Sequence, residues 1–221
     1  RGSITGVIGR NGSGKSTMLE VMSSEIRPTG GSVLINGDDA ESLSLAGTRI
    51  GMRLRGIGVI PAEIALQFGL SGANLRASGV DWDLRRDQPV GLAWDQVDWN
   101  VITHPDGDSF ARFWVRLQEV RESAKMVEQL CDGLPSGPIM SKVPRIIKVP
   151  AGEAWVSTDN PLGEMGYYVV SQGDLTPFRV KIRSASFNNV SITPWLLRGV
   201  YVPDIITILA SLYFILGDID R

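Results

Sequence analysis

The spacing of apolar residues changes period several times along the chain, and each change marks an expected element. Ile4 to Ile8 (Ile-Thr-Gly-Val-Ile) reads as a short buried strand, Lys15 to Ile26 as a helix, and Ser32 to Ile35 as a strand running into the turn pair Asn36-Gly37. Gly56 to Ile60 is a short apolar segment, after which Pro61 opens a helix from Ala62 to Phe68 that Gly69 and Gly72 close. Leu75 to Arg86 is dense in arginine, aspartate and glycine and is expected to be a solvated loop, with Asp81 and Asp83 salt-bridged to the neighbouring arginines. A long helix follows, N-capped by Asp106 or Asp108. Phe110, Phe113, Trp114, Leu117, Ala124, Val127, Leu130 and Cys131 fall on one face, and Arg112, Arg116, Glu119 and Glu122 on the other. A proline-rich run from Leu134 through Pro138 and Pro144 to Pro150 leads into strands predicted over Glu153 to Ser157, Glu164 to Ser171 and Phe178 to Ile182. Turns are predicted at Asn160-Pro161 and Gln172-Gly173-Asp174. The last predicted element is a helix from Pro203 to Leu212.

Composition narrows the function classes. With 221 residues, 43% hydrophobic and 21% charged, the chain has room for one large or two small domains, and disorder is not indicated. A formal net charge of −2 and the lack of a basic stripe give no support for nucleic-acid binding. One cysteine and one histidine exclude an internal disulfide and a zinc or iron–sulfur site closed within the chain, which suits a reducing compartment. Cys131 is expected to be a small buried filler and His104, in Thr103-His104-Pro105-Asp106, a solvated loop residue. The longest apolar run, Ile205 to Leu216, is shorter than the roughly 20 residues a bilayer span needs, so any membrane association is expected to be peripheral. The chain begins Arg-Gly, without a methionine or a signal peptide, and reads as a fragment.

The chemistry most visible in the chain is Gly9-Arg10-Asn11-Gly12-Ser13-Gly14-Lys15-Ser16-Thr17. In a G-x-x-x-x-G-K-[ST] loop, backbone N–H groups gather around a phosphate chain, the lysine reaches the outer phosphates and the hydroxyl after it faces Mg2+. The phosphate-binding candidates are therefore Gly9, Asn11, Gly12, Ser13, Gly14, Lys15, Ser16 and Thr17, placed between a strand and a helix N-terminus. From Gly6 to Asp39 the chain, through GRNGSGKST and PTGGSVLING, resembles the start of an ABC transporter ATP-binding domain. Hydrolysis in that family also needs a glutamine loop, a Leu-Ser-Gly-Gly-Gln signature, an apolar strand ending Asp-Glu and a switch histidine, none of which follows. The resemblance implies weak Mg-ATP binding at most, without turnover.

A second resemblance covers more of the chain. LRASGVDWDLRRDQP, GDSFARFWVRLQEVRESAKMVEQ, PAGEAWVSTDNPLGEMGYYVVS, PFRVKIRSASFNNV and the terminal LGDIDR occur in that order. From about residue 56 to 221 the chain resembles the C-terminal portion of the D subunit of NADH:quinone oxidoreductase, respiratory complex I, a relative of the nickel–iron hydrogenase large subunit without its metal-binding cysteines. The resemblance implies a subunit with no redox cofactor of its own. It would help form the quinone cavity beside an iron–sulfur cluster held by a partner subunit, peripheral on the cytoplasmic side of the bacterial inner membrane, with quinone as substrate and other complex I subunits as partners. Tyr213, Ile215, Asp218 and Arg221 are the positions that would lie near cluster and quinone. None carries a catalytic assignment, and the isolated chain is expected to be inactive.

The expected architecture is α+β. A β-loop-α-β fragment over residues 1–50 is followed by a helical and β-hairpin lobe over 56–221 that resembles the C-terminal part of a hydrogenase-like large subunit. The alternatives are an ATP-binding module of an ABC transporter and a chimeric fragment without autonomous activity, joined between about Ser44 and Gly56.

Overall fold

A computed structural model describes residues 34–35, 38–39, 49–90, 94–134, 136–137 and 146–220. The chain divides into two compact units, Arg1–Leu54 and Arg55–Arg221. In the first, β1 (Leu34–Ile35) pairs antiparallel with β2 (Asp38–Asp39), and α1 spans Arg49–Leu54. The strand expected at Ile4 to Ile8, the phosphate loop and the helix from Lys15 to Ile26 lie outside the described residues.

In the second unit the chain runs through α2 (Ala62–Gln67), α3 (Ala73–Arg76), α4 (Leu84–Asp87) and a 3-10 turn at Trp94–Gln96 to the long α5 (Ser109–Asp132). A three-stranded antiparallel sheet, β3 (Gly152–Asn160), β4 (Gly163–Ser171) and β5 (Arg179–Arg183), follows in sequence order. Its register places Trp155 opposite Tyr168 and Tyr168 opposite Lys181. The chain then forms α6 (Ala185–Val190), α7 (Thr193–Leu196), α8 (Val202–Leu212) and α9 (Leu216–Ile219). The mixed helix and sheet architecture agrees with the expected fold class.

The longest helix starts where its sequence supplies an acceptor. Asp108 caps α5, accepting from Ala111 N at 2.7 Å with one oxygen and from Gly56 N at 2.8 Å with the other. It thereby ties the preceding loop to the helix end. Ile60, Ala65, Leu70, Leu75, Ile192, Leu196, Ile208 and Leu212 form the main apolar core, so α2, α3, α7 and α8 bury their faces against one another. A second cluster of Ala73, Ala77, Ala111 and Val115 lets α3 and α5 approach closely, with Ile102 and Trp114 at its margin.

Three expectations need correction. Leu75 to Arg86 is not a solvated loop, because Leu75, Arg76, Ala77, Ser78, Asp83 and Leu84 are buried and the stretch forms helical turns at both ends. Its buried charges are paired, Asp83 with Arg76 and Arg85 inside the stretch and Arg76 with Glu119 outside it, which makes burial tolerable. Cys131 is exposed, since the last part of α5, including Val127 and Leu130, extends beyond what the described residues cover. His104 is partly buried, edge-on to Phe110 and Trp114 with centroids 6.2 and 5.2 Å away, and its Nδ1 accepts from Asp106 N at 3.3 Å.

One joint that docks the hairpin centres on Asn189 and Ser71. Asn189 of α6 accepts from Ser71 N at 3.1 Å and donates to Leu162 O at 2.8 Å, while Ser71 Oγ accepts from Glu164 N at 3.0 Å. Gly72, at φ 64° and ψ −147°, brings its backbone so close to Gly163 that a Cβ would lie 2.6 Å from Gly163 Cα. Gly69 has the same φ of 64° with open space around it. Gly72→Ala is therefore expected to cost about 3 kcal/mol or more, from strain plus overlap, and Gly69→Ala about 1 kcal/mol from strain alone. Chemical denaturation of the two variants beside the parent checks this, and equal losses would contradict the role given to the joint.

Candidate functional site

The residues singled out near the C-terminus sit on a buried polar framework that the apolar pattern does not reveal. Arg112 and Arg116 lie one turn apart on α5, on the face expected to meet solvent, yet Arg112 is fully buried. Its Nε donates to Ser211 Oγ at 3.0 Å, Nη1 to Gly107 O at 2.8 Å, and Nη2 to Gly58 O at 2.9 Å and Ser109 Oγ at 3.1 Å. Arg116 is partly buried. Its Nη1 donates to Ser211 O at 2.7 Å and to Arg112 O at 3.1 Å, and its Nη2 to Asn74 Oδ1 at 2.6 Å and Leu212 O at 3.2 Å. Asn74 completes the set by donating its amide to Leu212 O at 3.1 Å.

These acceptors include the last carbonyls of α8, which no further turn of helix can satisfy. Cationic donors there also complement the negative end of the helix dipole. Among the described residues neither guanidinium is in an ion pair. Burial, and then the charge of Arg116, bring Arg112 down to about 9 against the opposing pull of Asp108. Burial brings Arg116 down to about 10, with Glu119 and Tyr213 pulling upward and Arg76 downward. Both remain cations at neutral pH, so two positive charges are fixed beneath the C-terminal segment.

That segment is shaped by the grip. Tyr213 caps α8 in the left-handed region, φ 51° and ψ 60°, and its ring lies under the Arg116 guanidinium at 5.4 Å. Ile215 donates its N–H to Ser186 Oγ at 3.3 Å. Asp218 accepts from Ser186 N at 2.8 Å, so its carboxylate sits at the N-terminus of α6, where Ser184 Oγ also accepts from Phe187 N at 3.1 Å. Asp218 and Ile215 thus converge on one serine and fix the direction of α9. Tyr213 is 61% and Ile215 53% exposed, so their side chains are presented outward from a firmly held backbone. Arg221 lies outside the described residues, as do Gly9, Asn11, Gly12, Ser13, Gly14, Lys15, Ser16 and Thr17.

Sequence reading alone misses Arg112, Arg116, Asn74 and Ser186. The available signal for the arginines is their spacing of four on a helix opening with a capped Asp108, and that spacing fits a solvated face equally well. No helix among the described residues is long and apolar enough to cross a membrane.

Comparison with known proteins agrees with the longer resemblance. The model of the family described as "Respiratory-chain NADH dehydrogenase, 49 Kd subunit" matches residues 17–148 and 142–221. The match thus begins well upstream of residue 56, within the phosphate-loop stretch, and runs across the region where a join was expected. The second D subunit of the NADH-quinone oxidoreductase of Solibacter usitatus is 41% identical over 185 residues, covering 83% of this chain and 50% of that protein. The D subunit of the Bacillus cytotoxicus oxidoreductase is 45% identical over 169 residues, 76% of this chain and 46% of its own length. Among solved structures, a chain of the membrane-bound sulfane sulfur reductase, an archaeal respiratory membrane complex, superposes with a TM-score of 0.73 at 38% identity. It covers 79% of this chain and 49% of that one. The chain spans about half the length of these curated relatives. Matched over most of its residues, including the framework and the C-terminal segment, the chain belongs to the family of the 49 Kd subunit of respiratory-chain NADH dehydrogenase.

Proposed function

We propose that this chain acts as part of the D subunit of an NADH:quinone oxidoreductase, where its C-terminal segment forms a wall of the quinone-reduction cavity. The observation that carries this reading is the pairing of D-subunit relatives at 41% and 45% identity with an outward-facing Tyr213 and Ile215 held on a buried arginine framework. A cluster in a partner subunit would supply the electrons. This chain would hold the shape of the wall and set its electrostatics. The fixed charges of Arg112 and Arg116 favour negative charge developing nearby, an effect that is strong where water is excluded. Arg221 would add positive charge at the same end, and Asp218 would keep α9 aligned through Ser186. Other complex I subunits are the partners, and association with the membrane is peripheral, through the complex.

Arg116→Met is expected to loosen the end of α8 while leaving the distant sheet unaltered. Amide hydrogen exchange at residues 213–219 should rise at least about tenfold, a loss of roughly 1.4 kcal/mol or more in local protection, consistent with removing charged hydrogen bonds to buried carbonyls. Arg116→Lys should restore part of it. Unchanged exchange in Arg116→Met would remove the framework from the argument.

Co-expression with the cluster-bearing subunit of a related oxidoreductase tests the assembly. Retention of this chain through purification is the expected result, and a chain that stays alone would count against the reading.

A local second activity is motivated by Gly9 to Thr17 alone. Titration with Mg-ATP should give weak binding at most, and that binding should vanish in Lys15→Ala. Binding unaffected by the substitution would show that the loop is not its source.

A further inference from the structure

A group of charged side chains joins α4 to the end of β3, apart from the C-terminal framework. Asp83, the N-cap of α4, is fully buried and receives Arg85 through Nε at 2.9 Å and Nη2 at 2.7 Å, and Arg76 through Nη1 at 2.9 Å. Burial pulls its carboxyl upward, but the bonds from Arg85 and the charge of Arg76 outweigh this and hold it below the ordinary carboxylate range. Arg76 also donates through Nε to Glu119 of α5 at 2.8 Å. Both guanidiniums are thus committed to other acids. Asp159, one residue from the end of β3, comes no closer to Arg85 than 3.7 Å, beyond hydrogen-bond distance.

The strand register sharpens the imbalance. Asp159 stands directly opposite Glu164 of β4, whose own partner is Arg183 at 3.1 Å. Like charges in directly opposed positions of a ladder repel. Among the described residues, the charged groups around Asp159 are Arg76 of α3, Asp83 and Arg85 of α4, Glu119 of α5, and Glu164 of β4 with its partner Arg183 of β5. Beside it lies a cavity of about 20 Å3 whose lining includes Leu84, Arg85, Gln88, Trp94, Thr158 and Asp159. That volume has room for one water molecule, with polar partners at hand.

We propose that Asp159 is a proton-binding site and that its protonation is a pH-sensitive clasp holding the β3–β4 hairpin against α4. With its proton, Asp159 adds no charge to a group already rich in carboxylates and gains a donor for the cavity. Without it, Asp159 competes with Asp83 for Arg85 and faces Glu164 across the ladder. Burial, opposed by Arg85 and reinforced by Asp83, raises the Asp159 carboxyl to about 6 from an ordinary 3.8. Because the folded value is the higher one, the stabilisation is complete below the ordinary value and is lost as pH rises through about 6. The hairpin contact is tighter in mild acid and looser at neutral pH.

Carboxyl 13C NMR of the full chain should give Asp159 a titration midpoint near 6. Amide exchange at residues 158–164, corrected for its intrinsic pH dependence, should lose protection as pH rises from about 4 to about 6.5 in the parent. In Asp159→Asn, which keeps the shape and removes the charge, that protection should persist across the range, and Glu164→Gln should lower the midpoint. A midpoint in the ordinary aspartate range, a pH dependence unchanged in Asp159→Asn, or a midpoint unmoved in Glu164→Gln would each overturn the proposal. The NMR midpoint is read on the parent and stands even if a variant folds poorly.

Discussion

The buried guanidinium of Arg112 is the interaction on which the helical part of the structure depends. It joins four segments by hydrogen bonds alone: the loop at Gly58, the turn at Gly107, the start of α5 at Ser109 and the end of α8 at Ser211. Apolar packing between α2, α7 and α8 supplies the area removed from water but is tolerant of small displacements. A planar cation with every nitrogen engaged is not, because any shift leaves a donor unsatisfied in the interior. Arg116 extends the same constraint one turn along the helix and passes it to Asn74 and to the final carbonyls of α8. Position is thereby transmitted from one end of the sequence of this unit to the other.

Two buried charge groups of opposite character emerge. Around Arg112 and Arg116 the acceptors among the described residues are carbonyls, hydroxyls and an amide, so positive charge is held there by hydrogen bonds. Around Asp83 the reverse holds, with more carboxylates than guanidiniums. The first follows from the side chains that the long α5 directs inward and the second from those of the short helices α3 and α4, and neither resembles a surface salt bridge in its energetics. Arg86 with Asp81 and Asp87 is the exposed contrast, lying on the same helix but in water.

The elements legible in the sequence are those whose apolar period and end signals agree. α5 begins after Asp108, the three strands fall within a few residues of their expected limits, and α8 ends at Leu212. The departures share one cause: residue type is a poor proxy for exposure. Arginine usually meets solvent and dense charge usually marks a loop, yet pairing at a distance in sequence makes burial tolerable for Arg112 and for much of Leu75 to Arg86. Arg76 meets Glu119, and Arg112 meets Ser211, across separations no local pattern displays. Cys131 departs in the opposite direction, since helical periodicity continues past the point where the described residues cover α5. At the C-terminal segment the resemblance supplies Tyr213, Ile215 and Asp218, whereas Ser186, which organises two of them, carries no signal in the sequence.

The left-handed backbone of Tyr213 sets stability and surface chemistry against each other at a single position. Glycine or asparagine would adopt φ 51° with less strain, and either would be the natural choice for a helix terminus selected only for durability. Tyrosine keeps an aromatic ring beneath Arg116 and outside the fold at a conformational cost of about 1 kcal/mol or more. A consensus or thermostabilising redesign that relaxes this residue would yield a more robust chain with a blank face, so the position is one to hold fixed in any engineering of the scaffold.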